Sequence, residues 1–179
     1  MRKLVQLFAK MNNSLIVFNY IFLMIGLRMK PILKMEPILL GGRATFKPPL
    51  TALIQTDGSC KGKIGRAAVW LETAAQHRIY KDTYELGTID SSTEAEYASI
   101  YAGICRAAEL KEGAAILEND CLSVIHSLID SSCSLQKKKE YARYYNWKIK
   151  EDIKTLEWVG IRWIPRWDNS ADALFRNGK

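Results

Sequence analysis

The sequence predicts a single α/β domain built on a mixed β-sheet. Its composition, with 48% apolar and 25% charged residues, is that of a globular protein. A length of 179 residues suffices for one ordinary domain and a short appendage. Short apolar runs alternate with segments of helical periodicity, and strands separated by helices require that part of the sheet is parallel.

The first half of the domain has the pattern of three strands in a meander. Residues 52–56 (ALIQT) are mostly apolar and end at Asp57-Gly58, a turn signal. Residues 66–72 and 78–86 are further strand candidates, and Gly62 and Gly65 separate the first two runs. Consecutive short strands joined by tight turns favour antiparallel pairing.

The longest helix is predicted over residues 91–110. Its start, Ser91-Ser92-Thr93-Glu94, has the form of a capping box. Its apolar residues recur at i, i+3, i+4, i+7 and i+11, namely at Tyr97, Ile100, Tyr101, Ile104 and Ala108. This periodicity predicts a helix with one apolar face packed on the sheet.

The second half alternates strands with helices. Strands are predicted at 114–118 and at 157–164, where Pro165 stops the second. Helices are predicted at 121–129, 136–156 and 169–175. The element order is therefore β-β-β-α-β-α-α-β-α, and the chain contains no internal repeat.

Residues 1–48 differ from the rest and are predicted to be an extension, with the domain at 49–179. Residues 15–27 (LIVFNYIFLMIGL) are apolar apart from two, but a membrane span needs roughly 20 such residues. A basic start before this run fits a targeting segment or membrane contact by residues 15–27. An extension without function and a helix docked on the domain fit equally. Prolines and Gly41-Gly42 then indicate a linker.

The net charge of +7 comes mostly from this extension. Residues 1–35 hold six basic residues and no acid, which leaves 20 basic against 19 acidic residues elsewhere. The whole-chain charge therefore does not by itself indicate nucleic-acid binding. A local patch does, because residues 136–154 carry seven basic and three acidic residues and are predicted to contact phosphates. The aromatic residues in this patch have helical spacing and are predicted to pack in the core: Tyr141, Tyr144 and Tyr145.

The cysteines and histidines indicate no metal site of the zinc type. Four cysteines lack metal-ligand spacing and are too few for a dense disulfide framework, and the chain has two histidines. Any metal centre in this chain must therefore be built from oxygen ligands.

Four acidic residues lie at the ends of predicted elements. Asp57 ends the first strand of the domain and Asp120 ends the fourth. Parallel neighbours are about 4.8 Å apart, so the two carboxylates would meet at one sheet edge. Glu96 is on the helix face toward the sheet, whereas Glu94, about 200° around the helix, points to water. Asp172 follows a further strand.

Converging carboxylates without His or Cys form a hard-oxygen site that suits Mg²⁺ or Mn²⁺. Two such ions can flank a phosphodiester, one activating water and the other stabilising the leaving oxygen. Taken singly, each acid has an ordinary alternative as a turn residue, a helix cap or part of a solvated helix face. The hypothesis therefore depends on all four together.

The sequence around these acids resembles type 1 ribonuclease H. Thr56-Asp57-Gly58-Ser59-Cys60-x-Gly62 is similar to the first-strand motif of that family. Ser92-Thr93-Glu94-Ala95-Glu96-Tyr97 resembles its first helix and the same helix of retroelement ribonuclease H domains, and Asn119-Asp120-Cys121 its (S/T)-D-S step. Residues 163–174 resemble its VPR…N..AD.LA ending. Four motifs in this order cover residues 50–179.

The resemblance implies a function and a fold. The fold would be ribonuclease H-like, with a five-stranded mixed sheet of order 3-2-1-4-5 and helices on both faces. The activity would be endonucleolytic hydrolysis of the RNA strand of an RNA–DNA hybrid with two Mg²⁺ ions, for which Mn²⁺ may substitute. Its catalytic and metal-binding acids would be Asp57, Glu96, Asp120 and Asp172.

The predicted nucleic-acid contacts lie close to these acids in the sequence or in the basic segment. Hydroxyl and backbone groups near Gly58 could meet the RNA 2′-hydroxyls that distinguish RNA from DNA. Ser92 and Thr93 replace asparagines that the family uses to bind the minor groove. The full predicted set is Gly58, Ser59, Cys60, Ser92, Thr93, Lys137, Lys138, Lys139 and Arg166.

Two departures from the family concern the last motif. Residues 161–169 contain no histidine, whereas bacterial members carry one before the last acid. The asparagine usually found four residues before that acid is Asp168 here, with Asn169 one place on. The metal site therefore looks complete, while contacts to the hybrid are altered.

Two alternative functions stay open. One is a ribonuclease H-like module that binds nucleic acid without cutting it, and the other is a retroelement-derived nuclease with relaxed or DNA preference. The expected protein is a monomer with no obligate protein partner. Its expected location is the cytoplasm, or an organelle or membrane if residues 1–35 are a genuine signal.

Overall fold

Six strands and three α-helices make up the computed structural model, which describes residues 36–130 and 139–176. The strands are β1 (Ile38–Gly41), β2 (Ala52–Lys61), β3 (Ile64–Glu72), β4 (Ile79–Thr88), β5 (Ala114–Asn119) and β6 (Trp158–Trp163). The helices are α1 (Ser92–Glu109), α2 (Leu122–Ile129) and α3 (Glu140–Asp152). Short 3-10 turns cover Ile153–Thr155, Arg166–Asp168 and Asp172–Phe175.

The strands form one mixed sheet in the order β1-β6-β5-β2-β3-β4. β2, β3 and β4 make an antiparallel meander, as their short connections predict. β5 runs parallel to both β2 and β6. The predicted mixed α/β sheet is confirmed, and the five domain strands have the order that the resemblance implied.

The sixth strand corrects the sequence prediction. Residues 38–41 lie within the predicted linker, yet β1 pairs antiparallel with β6, with Ile38 opposite Ile161. Arg43 and Ala44 then donate backbone hydrogen bonds to the carbonyls of Leu156 and Glu157, at 3.3 and 2.6 Å. Only three of the four residues of β1 have a register partner, and the flanking glycine and proline residues hide the strand signal.

Several element ends also differ from the prediction. β2 continues to Lys61, five residues past its predicted end, because its second half pairs with β3. Gly62 and Lys63 form the turn between them, with φ of 57° and 72°. Positive φ at both positions gives the turn the twist that a two-residue hairpin needs. The predicted helix at 169–175 is shorter, with a 3-10 turn at Asp172–Phe175.

Helix α1 packs on the sheet as its periodicity predicts. Ile100 and Ile104 are fully buried against β2 and β5, with Ile54 and Leu117 in the same core. A Cβ at Gly103 would lie 2.9 Å from the Cγ2 of Ile54, so glycine allows a close approach of the helix to β2.

The start of α1 forms one of the two hydrogen bonds of the predicted capping box, and the second goes to Asp90 instead of Ser91. The Ser91 hydroxyl accepts a hydrogen bond from the Glu94 backbone N–H at 3.3 Å. The Glu94 carboxylate accepts one from the Asp90 N–H at 2.7 Å. Glu94 is thereby occupied in fixing the helix start, two residues before Glu96.

Helix α3 packs on α1 through part of its aromatic set. The rings of Tyr97 and Tyr145 stack with centroids 6.3 Å apart, and Tyr141 meets Tyr97 edge-on at the same distance. Tyr144 departs from the prediction, because its side chain is about half exposed. Helical spacing alone does not show where a buried face ends.

Most of the predicted extension and part of the basic segment lie outside the described residues. These comprise residues 1–35, Lys137 and Lys138. None of the helices within 36–130 and 139–176 is long and apolar enough to cross a membrane. The predicted domain boundary between 48 and 49 stays a prediction. β1 lies before this boundary in the sequence, yet it pairs with β6 of the domain.

Candidate active site

Strands β2 and β5 bring two aspartates to one sheet edge. Their parallel pairing ends with Thr56 opposite Asn119, and the next residues along the two strands are Asp57 and Asp120. The expected juxtaposition therefore follows from the register. Asp57 does not end its strand, since β2 continues and pairs Asp57 with Ala68 of β3.

Helix α1 brings Glu96 to the same place. A Cβ at Gly58 would lie 2.3 Å from the Ala95 carbonyl carbon, so glycine is required where helix and strand touch. The Gly58 N–H donates to Glu96 Oε2 at 3.2 Å. One oxygen from each of Asp57, Glu96 and Asp120 lies within 4.8 Å of the others, a group that could hold a metal ion.

Two of the clustered carboxylates, Asp57 and Glu96, resist ionisation. Burial raises the pKa of Asp57 to about 7, and the charges of Asp120 and Asp172 add to the shift. Burial also raises the pKa of Glu96 to about 8, with a further contribution from Asp57. Like charges held together out of water are destabilising unless a cation neutralises them. The electrostatics of the cluster therefore favour a bound cation.

Asn119 is a residue that sequence reasoning missed as a functional group. Its side chain is fully buried, and its Nδ2 lies 3.1 Å from Glu96 Oε2 and 3.0 Å from the Thr56 carbonyl oxygen. Its Oδ1 accepts the Cys121 N–H at 2.7 Å. Asn119 thus orients the Glu96 carboxylate toward the two aspartates. The sequence signal that could have identified it is an amide residue at the end of a predicted strand, directly before Asp120.

The fourth predicted acid lies in the same groove but outside the three-carboxylate group. Arg166 donates from Nε and Nη2 to Asp172 Oδ1, at 3.1 and 2.7 Å. Arg176 pairs with Asp172 Oδ2. Burial tends to raise the pKa of Asp172, but the two arginines outweigh it and lower the pKa. Asp172 is therefore ionised and neutralised by arginines.

The groove combines these acids with cations and hydroxyl groups. Arg66 lies over the Phe175 ring, with Cζ 5.1 Å from the ring centroid. Beyond the four acids, the lining residues are Gly58, Ser59, Lys61, Arg66, Ser92, Arg166, Phe175 and Arg176. Sequence reasoning missed Lys61, Arg66 and Arg176, because isolated basic residues in separate elements have no local signature.

The other predicted nucleic-acid contacts are not all in the groove. Cys60 in β2 and Thr93 in α1 are both partly buried and do not line it. Lys139 lies at the start of α3, with its Nζ 5.6 Å from the Tyr141 ring centroid. Ser92 joins the groove from the first turn of α1.

Asn169 anchors the loop that carries the fourth acid. Its Nδ2 donates to the Thr56 carbonyl at 2.9 Å and lies 3.3 Å from Asp120 Oδ1. Its Oδ1 accepts the Ala171 N–H at 3.1 Å. Although shifted by one position from the family pattern, this asparagine connects the loop to the central strands.

A buried polar ladder supports the same loop from beneath. Gln55, Glu118 and Arg162 stand side by side on β2, β5 and β6. Glu118 Oε1 accepts from Arg162 Nε at 2.8 Å, and its Oε2 accepts from Gln55 at 2.6 Å. Gln55 also accepts from the Ser170 N–H at 2.8 Å. Sequence reasoning missed this ladder, although opposite charges in two apolar strands indicate pairing.

Comparisons with known proteins agree with this architecture. The model of the family described as Reverse transcriptase-like matches residues 55–176, which include all four acids. None of the curated proteins compared with the chain matches it.

Solved structures show the same fold. The N-terminal RNase H domain of Rv2228c from Mycobacterium tuberculosis, solved as a fusion with maltose-binding protein, is 18% identical, with a TM-score of 0.58. The match covers 73% of this chain and 99% of that one. RNase H1 from Halobacterium salinarum NRC-1 is 23% identical with a TM-score of 0.56, over 69% of this chain and 93% of that one.

LC11-RNase H1, solved in complex with an RNA/DNA hybrid, is 15% identical with a TM-score of 0.58. That match covers 69% of this chain and 93% of that one. The fold of residues 36–130 and 139–176 is therefore the ribonuclease H fold, with one further strand at its edge.

Proposed function

The chain belongs to the reverse transcriptase-like family, and we propose that it is a ribonuclease H, an endonuclease that hydrolyses the RNA strand of RNA–DNA hybrids. The observation that carries the proposal is the carboxylate group of Asp57, Glu96 and Asp120, whose oxygens lie within 4.8 Å of one another. All its members come from one chain, so a monomer suffices.

The site residues fit hard divalent cations. Oxygen ligands without thiolate or imidazole favour Mg²⁺, with Mn²⁺ as a substitute. Asp57, Glu96 and Asp120 would hold one ion, and Asp57 with Asp172 a second. When bound, the ions would activate the attacking water and stabilise the leaving oxygen. The raised pKa values of Asp57 and Glu96 support this assignment, because burial and like charges outweigh the neutralising effect of Arg166 on Asp57.

The basic residues of the groove suit a phosphodiester substrate. Lys61, Arg66 and Arg176 line the groove around the acids. Cationic side chains at a rim contact phosphates and fix the position of the strand, but they do not distinguish one base sequence from another. Arg166, bound to Asp172, would pass one of its hydrogen bonds to a phosphate oxygen on substrate binding.

Recognition of RNA would depend on hydroxyl and backbone groups near the acids. Ser59 and Ser92 line the groove on opposite elements, β2 and α1. Each can donate and accept a hydrogen bond, as contact with a ribose 2′-hydroxyl requires. LC11-RNase H1 was solved with an RNA/DNA hybrid, which supports the same substrate class here.

The test is cleavage of a labelled RNA–DNA hybrid by the full chain in Mg²⁺ and Mn²⁺. We expect cleavage of the RNA strand alone, and a loss of at least a thousandfold in Asp57→Asn, because removing its charge disrupts both ion positions. Asp90→Asn is the matched control, since Asp90 is an exposed acid just before α1 whose side chain is not part of the groove.

Three outcomes would count against the proposal. Hybrid binding without cleavage would favour the non-cutting module. Cleavage of double-stranded DNA at a similar rate would favour the retroelement-type nuclease with relaxed preference. Equal activity of wild type and Asp57→Asn would exclude the carboxylate group as the active site.

A further inference from the structure

Trp167 is an exposed aromatic residue that directly follows Arg166, a residue lining the groove. It is the central residue of the 3-10 turn Arg166–Asp168, and 73% of its surface is exposed. Within 36–130 and 139–176, the structure gives its indole N–H no hydrogen-bond partner and its ring no aromatic or cationic neighbour. A single exposed ring needs no explanation in itself, but a tryptophan that directly follows a groove-lining arginine is placed to contact a ligand in that groove.

The other tryptophans with defined surroundings differ from Trp167. Trp158 is buried, and its ring would contact a Cβ placed on Gly160 at 2.3 Å. Trp163 donates from Nε1 to the Asp120 carbonyl at 2.9 Å. Trp147 is exposed, but the Lys148 ammonium lies 5.7 Å from its ring centroid. Trp167 therefore is the exposed indole to which the described part of the chain gives no hydrogen bond, ring pair or cation–π contact.

The backbone beneath Trp167 is held at several points. The Asp168 N–H donates to the Pro165 carbonyl at 2.9 Å, and the Asn169 N–H donates to the Arg166 carbonyl at 3.1 Å. The Asp168 carbonyl accepts from Gln55 Nε2 at 3.2 Å. An exposed ring on a fixed backbone loses little conformational freedom when a ligand binds, which favours its use as a contact.

The position of Trp167 places it within reach of a bound strand. Its neighbour Arg166 is bonded to Asp172, and Asn169, two residues on, lies 3.3 Å from Asp120 Oδ1. Successive Cα atoms are about 3.8 Å apart. Nucleotides follow one another at about 3.4 Å along a duplex axis. Because Trp167 directly follows the groove-lining Arg166, a strand that extends along the groove for a few nucleotides passes close to it.

We infer that Trp167 packs its indole ring against a sugar of the substrate strand next to the cleaved phosphodiester, and so contributes to binding of the hybrid. The bases of a duplex are stacked on one another, which leaves sugar faces as the apolar surface that an external ring can cover. Arg166 beside it would meet the phosphate of the same strand. This inference rests on the proposed function and adds a binding residue to it.

Hybrid affinity in the non-cleaving Asp57→Asn background tests the inference, because the RNA stays intact. We would measure the Kd of a fluorescein-labelled hybrid by anisotropy at one fixed salt concentration. Trp167→Ala should weaken binding at least fivefold, as loss of an aromatic nucleic-acid contact does. Trp167→Phe should stay within about threefold, because a phenyl ring retains most of the contact. Phe46→Ala is the matched control and should stay within about twofold, because Phe46 is an exposed ring that does not line the groove.

Indole fluorescence gives a second readout that a merely structural role would not change. Addition of the hybrid should quench tryptophan emission in the Asp57→Asn protein, and the quenching should fall markedly in Asp57→Asn/Trp167→Phe. Thermal melting of each variant should match its parent within about 2 °C, since Trp167 is exposed.

Unchanged affinity in Trp167→Ala, in a protein that binds and cleaves hybrid, would overturn the inference and leave the proposed function standing. An equal loss in Phe46→Ala would also overturn it, because the effect would then be general to exposed rings. Failure of the wild type to bind or cleave hybrid would instead overturn the proposed function, and the inference with it.

Discussion

At the scale of single residues, the site depends on which groups neutralise its acids. Asp172 is paired with Arg166 and Arg176, so its charge is balanced within the chain. Asp57 and Glu96 are not balanced in this way, and burial with mutual repulsion raises their pKa values. Asp172 and the pair of Asp57 and Glu96 thus lie in two different electrostatic environments. Sequence motifs identify the four acids, but they do not reveal this division.

The raised pKa values predict how the stability of the metal-free protein varies with pH. Between the ordinary carboxyl pKa near 4 and the folded values of about 7 and 8, the folded protein retains protons that the unfolded chain releases. The free energy of unfolding should therefore fall as pH rises through this window. Below it both states are protonated, and the two groups contribute no pH dependence.

Asp57→Asn should reduce this pH dependence. It removes one titrating carboxyl and one source of repulsion for Glu96, so the variant should be more stable than wild type at pH 8 by roughly 1–2 kcal/mol. Urea unfolding in EDTA at pH 5 and pH 8 measures the difference. Mg²⁺ at pH 8 should stabilise wild type more than the variant. Equal pH dependence in the two proteins would contradict the assignment of the raised pKa to Asp57.

At the scale of secondary-structure elements, strand register places most of the site. Pairing of Thr56 with Asn119 puts Asp57 and Asp120 side by side, and the same register aligns Gln55 with Glu118. Apolar runs predict which segments are strands, and the periodicity of α1 predicts which face carries Glu96. Register between distant strands is not visible in one sequence, so the polar ladder across β2, β5 and β6 was not predicted.

Loss of Glu118 should destabilise the fold substantially. Its carboxylate is 1% exposed and accepts hydrogen bonds from both Gln55 and Arg162. Glu118→Ala removes the buried acceptor that both donors share and should lower the free energy of unfolding by roughly 3 kcal/mol. Urea unfolding at pH 7 measures the loss.

Glu109→Ala is the matched control for this prediction. Its carboxylate also pairs with an arginine, Arg106, at 2.9 Å, but 63% of the Glu109 side chain is exposed. Exposed pairs contribute about 0–1 kcal/mol, so this variant should unfold almost as wild type does. Similar losses in the two variants would show that burial of the ladder does not increase its contribution to the free energy of unfolding.

At the scale of the whole molecule, acidic and basic side chains from separate elements meet in one groove. The acids converge at the floor of one groove, and cations from separate elements line the same groove, among them Lys61, Arg66 and Arg176. Whole-chain charge did not predict this pattern, because residues 36–179 are nearly neutral in sum. The fold class and the order of the five domain strands were predicted, since both follow from the order of elements and the resemblance.

The pairing of β1 with β6 has a consequence for shortened forms of the protein. A chain that begins at residue 49 lacks β1, and the outer edge of β6 then presents a row of free backbone donors and acceptors to other molecules. We expect that chain to self-associate with rising concentration in light scattering, whereas a chain that begins at residue 36 should not. Equal behaviour of the two would mean that another segment shields this edge. The four residues of β1 would thus keep the sheet from growing by addition of a second molecule.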